Sequence, residues 1–236
     1  MKLDEFKNVF MEYSDFDITE EQYKELLYYM QELLNWNNKI NITAITNEKE
    51  FIIKHFIDSL TIDKYIKNYE TVIDIGTGAG FPGIPLKILN KDKKFTLIDS
   101  VGKKLKVIES INNNLKLDNI EIIHSRAEEL AHNSKYREKY DVAVTRAVSN
   151  MATICEYMLP FIRVDGIAIC MKGPKYQEEL NDAENAIKTL GGKIESIENL
   201  KINNEIERNI IIIKKIKKTE NNYPRGQGKP SKEPIK

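Results

Sequence analysis

The chain runs to 236 residues, 41% apolar and 31% charged, enough to bury a core as one large domain or as one domain with a helical extension. Thirty-six basic and thirty-six acidic side chains cancel, so the chain is no polycation and bulk charge argues nothing about nucleic acid. No apolar run approaches a membrane span, and the start MKLDEFKNVF lacks the layout of a secretory signal, so a cytosolic protein without membrane attachment is expected. Cys155 and Cys170 stand apart from any CxxC or His-rich spacing, so both read as buried thiols and no metal site is expected.

The first predicted elements are helical. A weak pattern covers about 3 to 13. A stronger one begins at a capping box, Thr19 with Gln22, and sets Tyr23, Leu26, Leu27, Met30, Leu33 and Leu34 on one face. A third, around 48 to 67, aligns Ile52, Phe56 and Leu60. Residues 1–68 therefore form a helical extension.

From Thr71 short apolar runs alternate with helical patterns: TVIDIG, FTLID, IEIIH, YDVAVT and GIAICM, with helices near 82–90, 101–117, 150–163 and 175–190. Strands apolar on both faces between helices predict a parallel sheet covered on both sides. KIESIENL and NIIIIKK leave no room for a crossover helix and should pair as an antiparallel hairpin. The 69–218 stretch is thus a Rossmann-like α/β domain, seven strands with one reversed. The tail, 219–236, is rich in Pro, Gly and charge and reads as loop or disorder. From Lys201 onward ten basic residues face four acids, so this end is either a solvated tail or a phosphate contact.

The glycines of GTGAGFPG mark the turn after the first strand. Ile75 should end that strand, Gly76, Gly78 and Gly80 should form the bend, and Pro82 can start the next helix. In open α/β sheets ligands bind beyond the carboxyl ends of the strands. A dinucleotide site would want glycine where this chain has Phe81, and the Lys-Ser/Thr of a P-loop is missing. Twenty-three residues past Gly76, Asp99 falls at the predicted tip of the second strand, where a carboxylate can accept both hydroxyls of a ribose. Ribose without diphosphate fits S-adenosylmethionine. Ala127 and Glu128 follow the third strand, where they would flank an adenine; Glu128 also reads as an acid favouring a helix start. Arg146 ends the fourth strand, poorly placed for a core and suited to a cleft or to a surface ion pair.

These segments resemble, in order, the bacterial 16S ribosomal RNA (guanine-N7) methyltransferases of the glucose-inhibited division protein B type: NWNNKINITAIT, HFIDSL, DIGTGAGFPGIPLKI, FTLIDSVGKKLKVI, SRAEEL, VTRAV, Lys172-Gly173 and YPRGQGKPSKEPI. The resemblance covers nearly the whole chain. It implies a class I methyltransferase fold and a methyl donor held at Gly76, Phe81, Ala127, Glu128 and Arg146, with Gly78, Asp99 and Ser100 added by the architecture. It also implies a substrate that is 16S ribosomal RNA or the small ribosomal subunit, and a monomer is the default.

Guanine N7 carries a lone pair and no proton, so transfer to it requires alignment and no general base; orienting two reactants can lower a barrier by roughly 7–11 kcal/mol. Arg146 and Lys172, ending the fourth and fifth strands, are the candidate catalytic groups, as clamps for phosphate or donors to the guanine edge. The (D/N/S)PP(Y/F/W) motif of exocyclic-amine methylation is replaced by TRAV, and Ile154 and Ile169, not proline, precede the cysteines. The rival readings are a protein or small-molecule methyltransferase and a non-catalytic RNA-binding module. His55 reads as a satisfied, partly buried histidine or a pocket contact, Trp36 as core or a stacking platform, and Asn41 and Thr43 as turn formers or cleft lining. His124 and His132 have no evident partners.

Overall fold

The computed structural model describes residues 1–146, 149–174, 176–202 and 206–236. The N-terminal part is helical: α1 (Leu3–Tyr13), α2 (Glu20–Asn37), α3 (Glu48–Phe51), a π turn (Ile52–Ile57), α4 (Asp58–Leu60) and α5 (Asp63–Ile66). The Thr19–Gln22 capping box forms as expected. The third predicted helix breaks before α5, where Thr61 Oγ1 donates to Asp58 O.

Seven strands then build one sheet: β1 (Thr71–Ile75), β2 (Lys94–Asp99), β3 (Ile120–His124), β4 (Tyr140–Thr145), β5 (Ile162–Lys172), β6 (Gly192–Ile202) and β7 (Ile206–Lys215). The order is β3-β2-β1-β4-β5-β7-β6. β1 to β5 run parallel, and β7 is antiparallel to both β5 and β6, the expected reversed strand. β5 begins before the run GIAICM, with a register irregularity against β4 between Tyr140 and Val142. The connecting helices are α6 (Gly83–Leu89), α7 (Gly102–Leu115), α8 (Ala127–Leu130), α9 (Met151–Met158) and α10 (Tyr176–Thr189), and α11 (Lys229–Lys232) lies in the tail.

Alternation along the strands divides the core in two. Val72, Val142 and Val144 face the N-terminal helices, α6 and α7, whereas Ile73, Ile75 and Ala143 face α9 and α10. Both cysteines are buried and free. Among the described residues no helix is long and apolar enough to cross a membrane.

The helical extension is joined to the sheet domain through a shared core, and Tyr29 of α2, fully buried, donates from Oη to Ala79 O in the glycine turn at 2.7 Å. The tail, read as loop or disorder, is irregular for most of its length yet fixed. Thr219 N donates to Glu138 Oε1 at 2.8 Å, and Arg225 Nη2 meets the buried Glu156 at 2.7 Å.

Candidate active site

β1 ends at Ile75, and Gly76, Gly78 and Gly80 follow with φ of +72°, +59° and +84°. Positive φ strains any side chain, but the glycines also differ in what they clear. A Cβ added at Gly76 meets nothing within 4 Å, whereas at Gly80 it would strike the Tyr29 hydroxyl. One glycine leaves open space; the other admits the protein's own α2. Phe81 is 3% exposed, packed among Phe51, Phe56 and Tyr29, so only its backbone is available to a ligand.

Asp99 ends β2 and turns toward the glycines. Its Oδ2 accepts Gly78 N and its Oδ1 accepts Val101 N, both at 2.8 Å. A cleft of about 190 Å³ opens there, lined by Gly76, Asp99, Ser100, Ala127 and Glu128. Five sequence-predicted residues thus share one hollow. Tyr157 of α9 closes it from a direction the sequence did not suggest. Glu128 is 4% exposed, with Arg126 Nη1 3.5 Å from its Oε1.

Beneath the turn lies Asp74, absent from the sequence expectation. It is fully buried; its Oδ2 accepts Thr77 Oγ1 at 2.6 Å and Gly83 N at 2.8 Å, while Oδ1 has no partner among the described residues. Burial pushes its carboxyl up to about 7, against the opposing pull of those two hydrogen bonds. An acid inside the apolar run TVIDI was the signal available. Gly83 has its own reason here, since a Cβ would come within 2.7 Å of Asp74 Oδ2.

Arg146 leaves β4 into a cluster of residues from distant parts of the chain. Nη1 donates to Lys54 O at 2.8 Å and Asp58 Oδ2 at 3.0 Å, Nη2 donates to His55 Nδ1 at 2.9 Å, and the guanidinium lies 5.1 Å from the Phe81 ring centre. A guanidinium only donates, so His55 Nδ1 accepts and its Nε2–H donates to Thr43 Oγ1, 2.9 Å away. Burial first and the Arg146 charge second push the His55 imidazole down to about 3, so it is neutral at any working pH. It stacks on Phe81, 4.4 Å between ring centres. His55 is therefore satisfied and also lines a second cleft, distinct from the Asp99 hollow.

Asp58, fully buried, takes a second arginine: Arg208 of β7 reaches Oδ1 through Nε at 2.6 Å and Oδ2 through Nη2 at 3.3 Å. Two guanidiniums on one carboxylate leave net positive charge on a cleft of about 630 Å³ lined by Lys54, His55, Asp58, Arg146, Pro174 and Arg208. Neither Asp58 nor Arg208 was singled out from sequence. The Ala147–Val148 end of the VTRAV motif lies outside the described residues.

Lys172, expected beside Arg146, turns elsewhere: Nζ donates to Ser149 O at 2.8 Å and pairs with Glu179 at 2.6 Å, and the side chain is 7% exposed. Trp36 is half-buried with Lys39 Nζ 5.1 Å from its ring, and Asn41 is exposed. His124 and His132 do have partners, the carbonyls of Ser100 at 3.1 Å and Pro224 at 2.8 Å.

A mostly parallel seven-stranded sheet with its β7 reversed, a glycine turn after β1 and a carboxylate at the tip of β2 define the Rossmann-like class I methyltransferase fold. Among solved structures the chain is similar to M. jannaschii TYW2 in complex with AdoMet, with TM-score 0.51 and 16% identity over 66% of this chain and 74% of that one. The family model described as GidB, rRNA small subunit methyltransferase G, matches residues 22–211. Ribosomal RNA small subunit methyltransferase G of Alkaliphilus oremlandii (strain OhILAs) is 48% identical, covering 93% of each chain, and that of Clostridium novyi (strain NT) is 44% identical, covering 97% of this chain and 95% of the relative. The chain belongs to the rRNA small subunit methyltransferase G family.

Proposed function

We propose that the protein is a cytoplasmic, monomeric enzyme that methylates N7 of one guanine in 16S ribosomal RNA, presented on the small ribosomal subunit, with S-adenosylmethionine as methyl donor. The observation that carries this reading is the open cleft above Gly76, with Asp99 and Glu128 on its walls, in the same molecule as the two-arginine cleft at Asp58. The residues present fit the cofactor. The space a Cβ would take at Gly76 is free, and each Asp99 oxygen, holding one backbone N–H, keeps a lone pair for a ribose hydroxyl. Ala127, Glu128 and Tyr157 would flank the base.

S-adenosylmethionine supplies an electrophilic methyl on a sulfonium. The chain's own task is to orient the acceptor, since the guanine N7 lone pair attacks without losing a proton. Arg146, held on three sides by Lys54, His55 and Asp58, is a rigid donor for that purpose, and Arg208 adds a second positive group beside it. Lys172 is proposed to act less directly, by holding Ser149 O at 2.8 Å.

The reading is tested by incubating the protein with methyl-labelled S-adenosylmethionine and small subunits lacking the modification. Label in the RNA and chain scission at one guanine after reduction and aniline treatment are expected. Label without scission rejects N7, and label in protein rejects the RNA.

A further inference from the structure

The hollow at Asp99 is walled by short elements. Ala127 and Glu128 open the four-residue α8, and Tyr157 lies near the end of α9. Four residues do not make a self-supporting helix. Both walls also bond to the C-terminal segment.

Behind α8, Arg137 Nη1 binds Ala131 O at 3.1 Å, the carbonyl of the α8 cap, and also Tyr223 O at 2.8 Å; its Nη2 binds Thr219 O and Glu220 O at 3.0 Å. His132 Nε2–H adds a bond to Pro224 O at 2.8 Å. On α9, the fully buried Glu156 is met by Arg225 four times over: backbone N to Oε1 at 2.7 Å, Nε to Oε1 at 3.0 Å and to Oε2 at 3.3 Å, and Nη2 to Oε2 at 2.7 Å. Thr153 Oγ1 donates to Pro230 O at 2.6 Å. Glu156 precedes Tyr157 directly.

We propose that residues 219–236 are a clasp that sets the width of the adenine end of the cofactor cleft, with Arg225 the positioning residue acting through Glu156 on Tyr157. This rests on the cofactor reading given above. Of the ten basic residues from Lys201 onward, read as a solvated tail or a phosphate contact, Arg225 is committed to a buried carboxylate. A buried charge that loses its partner must move or be neutralised. Loosening Arg225 therefore shifts α9, and with it Tyr157.

The test is titration calorimetry of the full-length protein with S-adenosylmethionine and with adenosine, which lacks the methionine. Arg225→Gln is compared with Arg163→Gln, which breaks the ion pair with Asp141 at the start of β4, the end of the sheet away from the cleft. Arg225→Gln is expected to weaken both ligands equally, by about tenfold, a usual size for coupling between sites, while Arg163→Gln lowers Tm and leaves both affinities unchanged. An Arg225→Gln protein that melts early yet binds both ligands as wild type overturns the proposal, since the pair is then only structural. Wild-type protein that binds neither ligand overturns the cofactor reading and the clasp with it. Should Arg225→Gln not fold, linkage supplies the same test in wild-type protein: saturating adenosine must slow hydrogen exchange at the Arg225 amide by that same factor. Exchange that adenosine leaves unchanged overturns the proposal.

Discussion

Replacing Asp74 by asparagine isolates the cost of a carboxyl held away from water beneath the glycine turn. In the folded chain it titrates at about 7 instead of 3.8, because burial outweighs the hydrogen bonds from Thr77 and Gly83. Between those values the native state holds a proton that the unfolded state has released. The contribution to stability is therefore fully present below 3.8 and is lost as pH rises through 7. Integrated from pH 5 to pH 8, the loss is about 2.6 kcal/mol. At roughly 2–4 °C per kcal/mol for a chain of this size, wild type should melt about 5–10 °C lower at pH 8 than at pH 5 on account of this group. Asp74→Asn keeps an oxygen for Thr77 Oγ1 and Gly83 N and has no proton to release there. Thermal melts of both proteins at the two pH values give the comparison, in which other titrating groups cancel. Wild type should lose about 5–10 °C more than the variant. Equal losses would refute the reasoning, because the native carboxyl would then be ionised throughout that range.

Tyr29→Phe removes the hydroxyl that binds Ala79 O and should cost about 1–3 kcal/mol, read as a fall in Tm by scanning calorimetry; an unchanged Tm would mean that the glycine turn stands without α2. Asp99→Ala should weaken S-adenosylmethionine binding by about tenfold or more, roughly 1.4 kcal/mol. Unchanged affinity by titration calorimetry would remove the tip of β2 from the cofactor site. Arg146→Ala leaves Lys54 O and His55 Nδ1 without their donor while Asp58 keeps Arg208, and should destabilise by about 1–3 kcal/mol, with turnover lost even well below the lowered Tm. Normal specific activity in the folded variant would make Arg146 a structural group.

The sheet and the Asp99 hollow could be read in the sequence because both follow from local pattern. Strand and helix periods alternate from Thr71 onward, and a carboxylate that ends FTLID falls at a strand tip whatever else the chain does. Family membership was likewise carried by contiguous strings such as GTGAGFPGIPL. The arginine cluster was not readable in this way. Asp58 and Arg208 lie 150 positions apart and meet only because β7 inserts between β5 and β6. Tyr29 was not among the residues that the sequence set on the apolar face of α2, and nothing local says that its hydroxyl finds Ala79. In the tail, Pro and Gly correctly foretold irregular backbone; irregular backbone is not mobility when Arg225 and Arg137 fasten it to partners tens of residues away.

The π turn at Ile52–Ile57 places Lys54 O and His55 against Arg146 and is followed at once by Asp58. An α-helix advances about 100° per residue, so deleting one residue there would act as a twist and not as a shortening. Everything downstream in that helix would swing by about that angle, carrying Asp58 off its two guanidiniums. Length in this segment is thus under a constraint that side-chain chemistry does not express: many substitutions leave the registration intact, and no single-residue gap does.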